Sequence, residues 1–270
     1  MNRPEGGAMP RGARERRTAI LQLADSSGLT SVDELSTAFG VTASTIRRDL
    51  AQLEAAGQLA RTYGGAMPLR HEASVRQRNG EAAEAKQAIA RWAAEQVRPD
   101  ETILLDSGST TTALARELAH RSDLTIVTTA ITVLHELAGA DLRVECLGGA
   151  LRQLSQGFVG PLTEAALERR TFDRAFLGAD GVTAEHGICE AELEQTRLKE
   201  LMARRADHVY VLVHAEKLGH RPFRAHTPLS PGWTLVTDDS ATRSSTAPFH
   251  ARGLNFVVAP TTSTTTDQAG

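Results

Sequence analysis

Two groups of residues in this 270-residue chain carry chemistry by type and spacing. The first is Ser44, Thr45, Arg47 and Arg48, two hydroxyls beside two adjacent guanidinium groups. Arginine bonds guanine in bidentate fashion or clamps phosphate, and Ser or Thr can reach either, so these types on one helix face suit contact with DNA. Arg14, Arg16, Arg17 and Arg61 are further candidates for backbone phosphates. The second group is the loop Asp106-Ser107-Gly108-Ser109-Thr110-Thr111-Thr112, which follows an apolar run and opens a helix. Its N–H and O–H donors, with the positive end of the helix dipole, make an anion site most natural for phosphate. The Gly-Lys-Ser/Thr element of a Walker loop is missing. Each group also has a plainer reading: arginines solvating the face of a three-helix bundle, and a strand-to-helix turn with a Ser/Thr cap.

Elements that would position the first group are legible. A helical pattern from about Arg11 to Ser26 turns Ile20, Leu23 and Ala24 inward and ends at Gly28. Ser31-Val32-Asp33-Glu34 reads as a capping box, opening a short helix with Val32, Leu35 and Phe39 that Gly40 stops. Thr42 caps the next helix, about Ala43 to Ala56. Ile46, Leu50 and Leu53 fall on one stripe of it, with Ser44, Arg47, Arg48 and Ala51 opposite. Gly57 ends it, Gln58 to Tyr63 can form a hairpin wing, and Gly64-Gly65 close the unit. Two short helices joined in this way form a helix-turn-helix, whose second helix presents its N-terminal residues to the major groove.

The rest alternates. Residues 67–80 read as a linker, and a long helix covers about Glu81 to Val97. Apolar runs at Ile103–Leu105, Leu124–Val127, Val144–Leu147, Ala175–Leu177, Val209–Val213, Leu235–Val236 and Phe256–Val258 predict buried strands. Amphipathic helices lie between many of them, at Thr112–His120, Ala130–Ala138, Pro161–Arg170 and Glu192–Ala206. That order implies a mostly parallel sheet covered on both faces, so the fold class is α/β. Gly148-Gly149 and Gly178-Ala179-Asp180-Gly181 follow two of the runs, so three loops could converge where ligands bind open α/β sheets. Asp180 could then accept hydrogen bonds from sugar hydroxyls. The organisation expected is a winged helix-turn-helix over 11–66, a linker over 67–80, an α/β domain over 81–259 and a disordered tail over 260–270.

Composition narrows the classes. No window is apolar enough to span a membrane, and Met1 to Arg17 is polar and Arg-rich with no apolar core, which excludes a secretory signal. Cys146 and Cys189 are too few for a disulfide framework or a zinc site, which points to a reducing, cytoplasmic setting with no metal or other cofactor. Residues 1–70 hold nine Arg and seven Asp or Glu (net +2), against 21 basic and 26 acidic residues in the remainder (net −5), so the head alone is basic. Of the 30 basic residues only Lys86, Lys199 and Lys217 are Lys. Chance on a solvated surface explains them, and so does a site that needs a compact ammonium.

The run Val41-Thr42-Ala43-Ser44-Thr45-Ile46-Arg47-Arg48-Asp49-Leu50, with Leu53-Glu54, Gly57, Arg61 and Gly64-Gly65-Ala66, resembles the DNA-binding signature of the DeoR family of transcriptional repressors. Asp106 to Thr111, Gly148-Gly149, Phe176 to Gly181, Lys199 with Met202, and Lys217-Leu218-Gly219 with Phe223 are similar to that family in order, and all three lysines fall on its motif positions. The resemblance spans about Arg14 to Ala259. It implies that Ser44, Thr45, Arg47 and Arg48 read double-stranded operator DNA, with Asp49 orienting a neighbouring arginine. It also implies a sensor domain similar to ribose-5-phosphate isomerase and CoA-transferase folds, a phosphorylated sugar or related metabolite as effector, repression of carbohydrate-metabolism genes, and a homo-oligomer. The effector residues expected are Ser107, Gly108, Ser109, Thr110, Thr111, Gly148, Gly149, Asp180, Lys199 and Lys217. Departures are Tyr63 where His is frequent, His214 where Asp is usual, Cys189 where Thr or Ser is common, and Gln195 where Glu is frequent.

The rival is a sugar-phosphate isomerase, with Asp180 as base, Lys199 or Lys217 on phosphate, and Asp106, Glu190 or Glu192 as further carboxylates. An attached helix-turn-helix gives such an enzyme no purpose, so a non-enzymatic regulator is expected.

Overall fold

The computed structural model describes residues 12–27, 30–55, 59–62, 65–68 and 72–261. The chain divides into two compact units, Met1–His71 and Glu72–Gly270.

The first unit has helices Ala13–Ser27, Val32–Phe39 and Ala43–Ala55, with strands Thr30–Ser31, Leu59–Thr62 and Gly65–Pro68. The three strands form one antiparallel sheet with Gly65–Pro68 in the middle. Ile20, Leu35, Ile46, Leu50 and Leu53 make its core, with Val32, Phe39 and Val41 packed against them. The capping box is complete: Ser31 Oγ accepts from Glu34 N at 3.1 Å and Glu34 Oε2 accepts from Ser31 N at 2.9 Å. Gly40 ends that helix at φ 62°, a left-handed conformation that glycine adopts without strain.

Leu23 was expected to face inward and is instead 37 % exposed. It lies about 60° round the helix from buried Ile20, at the margin of a narrow contact stripe. The wing differs too, because its second strand, Gly65–Pro68, runs into the segment read as a linker. Residues 1–11, Gly28, Ala56, Gly57, Gln58, Tyr63, Gly64 and 262–270, and the side chains of Arg14, Ala24 and Arg61, lie outside the described residues.

Thr42 holds the start of the third helix through its backbone carbonyl, which accepts from Thr45 N at 2.9 Å and Ile46 N at 3.1 Å, and through its hydroxyl, which accepts from Thr45 N at 3.3 Å. Thr42→Ala is expected to cost this unit about 1 kcal/mol, read as a lower urea midpoint with an unchanged slope. A midpoint equal to that of the unchanged chain would remove the cap from the account.

The second unit is built on one seven-stranded sheet, every pairing parallel. Its order across the sheet is Asn255–Ala259, Thr234–Asp238, Ala206–Leu212, Phe172–Leu177, Thr102–Leu105, Thr125–Thr128, Arg143–Cys146. Alternate residues feed two cores, as the pleat requires. Ile103, Leu105, Ile126, Phe176, Leu212 and Val236 pack against helices Ala83–Glu95, Ser109–Leu118 and Ile131–Leu137. Leu104, Val127, Ala175, Leu177, Val211 and Leu235 pack against Pro161–Glu168, Leu193–Arg204 and Arg243–Ala251.

The expectation of buried strands fails at both edges. Arg143 and Cys146 are exposed on one outer strand and Val258 is 46 % exposed on the other, because an edge strand has a neighbour on one side only. Features with no counterpart in the sequence reading include a hairpin of Ala150–Arg152 with Gly157–Val159, a small antiparallel sheet of Gly181–Thr183, Gly187–Glu190 and Ala225–Thr227, a helix at Arg243–Ala251, and a helix at Val75–Asn79 inside the segment read as a linker. Among the described residues, no helix is long and apolar enough to cross a membrane.

Candidate functional site

On the third helix the stripe divides as its 3.6-residue period dictates. Ile46, Asp49, Leu50 and Leu53 are buried, Thr45 is half-buried, and Ser44, Arg47 and Arg48 are exposed. Asp49 is 3 % exposed. It accepts from Arg16 Nε at 2.7 Å and has Arg17 Nη1 at 3.7 Å, while Arg17 also donates to Gln52. Arg16 and Arg17 thus tie the first helix to the third, a structural role the sequence reading did not assign them. The Ser44 and Thr45 hydroxyls gather on Thr42 Oγ1 at 2.9 and 3.0 Å.

In the larger unit the sheet extends from the strand Thr102–Leu105 in both directions: Thr125–Thr128 pairs on one side and Phe172–Leu177 on the other. Beyond the carboxyl ends of the central pair lies the crevice that open α/β sheets use for ligands. Asp106 closes it underneath. Its Oδ1 accepts from Ser107 N at 2.7 Å and its Oδ2 from Gly178 N at 3.1 Å, so one carboxylate fixes both loops. Ser107, Gly108, Ser109 and Thr110 line the resulting pocket with Gly178, Ala179, Glu190, Gln195, Lys199 and Lys217. Arg78 and Ser155 reach it from the segments that sequence reading left without a role. The space within this partly open pocket is about 10 Å³.

Three ionisable side chains set its charge. Lys199 is 4 % exposed and donates to Asp106 Oδ2, with Glu190 Oε1 at 3.2 Å. Burial alone would lower the Lys199 ammonium, but the carboxyls of Asp106 and Glu190 raise it above the usual lysine range. Burial pushes the Glu190 carboxyl up to about 8 against the lowering pull of Lys199, and Gln195 Nε2 donates to its other oxygen at 3.1 Å. Lys217 donates to Ala179 O at 2.5 Å. Its ammonium is lowered to about 8 by burial first and then by Arg78, with Asp180 and Glu190 acting the other way.

Not every residue expected at the site reaches it. Thr111 is fully buried and its hydroxyl donates to Gly108 O at 3.0 Å, closing the first helical turn. Asp180 does not line the cavity but accepts from Arg78 Nη1 at 2.8 Å, and Arg78 does line it. Gly148 and Gly149 follow the outermost strand, separated from Thr102–Leu105 by Thr125–Thr128, and are absent from the lining. Gly149, at φ 121°, instead allows a close backbone approach, since a Cβ there would meet Thr163 Oγ1 at 2.2 Å.

Of the departures, His214 is buried, and burial followed by Lys217 and Lys86 lowers its imidazole to about 4. Cys189 is buried with Sγ 3.2 Å from Phe223 N, and burial raises its thiol. Lys86 donates to the carbonyls of Arg78 and Glu81, the second at 2.7 Å. Among the described residues no group of three or more His, Cys, Asp or Glu side chains is placed to hold a metal ion.

Comparisons with known proteins agree on both units. The DeoR C terminal sensor domain matches residues 81–239 and the DeoR-like helix-turn-helix domain residues 16–71. The HTH-type transcriptional regulator GlpR of Haloferax volcanii is 32% identical over 246 residues, 90% of this chain and 96% of that protein. The lactose phosphotransferase system repressor of Streptococcus mutans is 31% identical over 231 residues, 83% of this chain and 91% of that protein. Among solved structures, ribose 5-phosphate isomerase A of Methanocaldococcus jannaschii aligns over 49% of this chain and 52% of its own, at 20% identity and a TM-score of 0.37. With a family match in each unit and relatives similar over most of its length, the chain belongs to the DeoR family of transcriptional regulators.

Proposed function

We propose that the chain is a repressor of carbohydrate-metabolism genes whose hold on operator DNA is relieved by a phosphorylated sugar. Residues 11–66 bind DNA, with Ser44, Thr45, Arg47 and Arg48 entering the major groove and Arg61 on the wing. Residues 81–259 take the effector, its phosphate at Ser107 to Thr110 with Lys217 and Lys199, its hydroxyls toward Asp180. The observation that carries the reading is the division of the third helix, where Ser44, Arg47 and Arg48 are exposed over a buried aliphatic stripe. A relative named as a lactose phosphotransferase system repressor supports the sugar connection. A homo-oligomer places two such helices on spaced half-sites, in the cytoplasm where the DNA lies. Effector binding favours a conformation that no longer fits that spacing, and affinity falls by the differential binding energy.

The isomerase alternative draws less support. Glu190, the carboxyl that lines the cavity, is pushed up to about 8 and so holds its proton at neutral pH, which suits it poorly to act as a base.

The test is fluorescence anisotropy with the chain's own upstream DNA across a salt series, repeated with a panel of phosphosugars. Binding that ignores sequence, or operator affinity that no phosphosugar alters, would overturn the reading. A pH dependence follows from Lys217. A phosphate monoester is fully dianionic by about pH 7.5, whereas the Lys217 ammonium discharges as pH rises through about 8. Effector affinity is therefore expected to fall severalfold between pH 7 and 9, measured by titration calorimetry. A flat profile over that window would take Lys217 out of the binding site.

A further inference from the structure

Residues 72–80 form a strap at the start of the larger unit, where the chain arrives from the smaller one. Ser74 and Gln77 cap its short helix reciprocally, and Val75, fully buried, donates its N–H to Leu154 O at 2.7 Å. Charge holds both ends. Glu72 takes a two-pronged bond from Arg152, one prong at 2.8 Å. Arg78 Nη1 donates to Asp180 Oδ1 at 2.8 Å, and its Nη2 is 3.8 Å from Glu72 Oε1.

The half-buried Arg78–Asp180 pair is poorly satisfied. Arg78 Nε and Asp180 Oδ2 are both buried without a hydrogen-bond partner. A buried ion pair offsets its desolvation only when its remaining donors and acceptors are filled, so this pair is held by one bond and is easily exchanged. Arg78 also lines the pocket that contains Ser107, Ser109, Thr110 and Lys217, and the cavity there, about 10 Å³, has room for no more than one water. The wall made by Arg78 belongs to the strap, whereas Ser107 to Thr110, Gly178 and Lys199 are fixed to the sheet or its helices.

We propose that Arg78 is the coupling residue of the sensor: an anionic ligand takes its guanidinium from Asp180 and thereby loosens the strap through which the chain reaches the DNA-binding unit. Phosphate offers three acceptor oxygens to the planar fork, and Asp180, once released, accepts from sugar hydroxyls. The inference rests on the reading of this pocket as the effector site, and names the residue that transmits occupancy.

Hydrogen exchange of the full chain, followed at the amides of residues 74–80, tests it. The probes are glucose 6-phosphate, fructose 1-phosphate, glycerol 3-phosphate and inorganic phosphate. Whichever probe binds is expected to speed exchange in the strap about tenfold while residues 103–105 stay protected. Asp180→Asn is expected to speed it with no probe present, and Arg78→Lys, which keeps the charge but not the fork, to blunt the response to the probe. Strap exchange unchanged or slowed by a bound probe overturns the proposal, as does an Asp180→Asn strap that exchanges at the original rate. If none of the four probes binds, the phosphate reading of the pocket fails, and the Asp180→Asn arm alone decides whether the pair latches the strap.

Discussion

Replacing Arg47 and Arg48 together by alanine is expected to lower operator affinity at least about thirtyfold while leaving the folded chain and its response to effector intact. A good bidentate bond pair from arginine to a base is worth about 1–3 kcal/mol, so two of them supply about 2–6 kcal/mol, and every 1.4 kcal/mol is a factor of about ten. Both residues are exposed on the third helix, and a surface substitution of this kind changes stability by no more than about 0.5 kcal/mol. Anisotropy on specific and scrambled DNA separates two roles. If the pair reads bases, specific affinity collapses toward the nonspecific level. If it clamps phosphates, both affinities fall and the slope of log K against log salt shrinks by about 0.9 for each phosphate no longer neutralised. The thermal shift given by an effector should be the same with and without the substitutions. Operator binding that survives the double substitution would sink the assignment of this helix. Asp49→Ala gives the contrast: it removes the buried partner of half-buried Arg16, so its damage should appear first as a lower melting temperature.

Why so much of the helix-turn-helix could be read without coordinates is clear from Ser31, Gly40 and Thr42. Caps and a left-handed glycine act over three or four residues, and their consequences follow from local stereochemistry. The seven strands of the parallel sheet were legible for a similar reason, since strands buried on both faces become unbroken aliphatic runs. Their order was not, and with it went the fate of Gly148-Gly149. A glycine pair after a strand looks alike in any strand, and only pairing decides whether that strand lies at the centre or the rim. The short strands Ala150–Arg152, Gly157–Val159 and Gly181–Thr183 have too few residues to show a period. Helix Arg243–Ala251 has Pro248 within it and a run of Ser and Thr at its start, which reads locally as loop.

Arg78 was missed for a different reason. Its partner Asp180 is 102 positions away, and nothing in Ser74 to Gly80 marks one arginine of an Arg-rich chain as buried. The three lysines were the better signal. In a chain that uses Arg almost everywhere, Lys199 and Lys217 occupy the pocket and Lys86 secures the carbonyls next to it. Each ammonium bonds one or two oxygens at short range, a geometry that suits it better than a planar fork.

Lys199→Met is expected to be the most damaging single change in the larger unit. Lys199 pairs with Asp106 and lies 3.2 Å from Glu190, all three nearly sealed from solvent. Methionine fills much the same volume but leaves two buried carboxyls facing each other with no cation between them. Removing one partner of a buried ionic cluster costs about 3–5 kcal/mol, a large share of the stability of any domain. Asp106 also holds Ser107 N and Gly178 N, so its displacement would unseat the loop proposed to take phosphate, and effector binding should disappear with the stability. The pH dependence identifies the cause. Burial already raises Glu190 to about 8, and Lys199 is the strongest influence lowering it, so its removal drives that carboxyl higher still. A carboxyl whose folded value lies above its unfolded one binds more protons in the folded state, so stability rises as pH falls. The unchanged chain loses this dependence above about pH 8, so the deficit of Lys199→Met should widen between about pH 8 and pH 10, and Glu190→Gln added to it should recover part of the loss at about pH 10. A deficit that is independent of pH, and that the second substitution does not relieve, would mean the lysine acts through packing rather than charge.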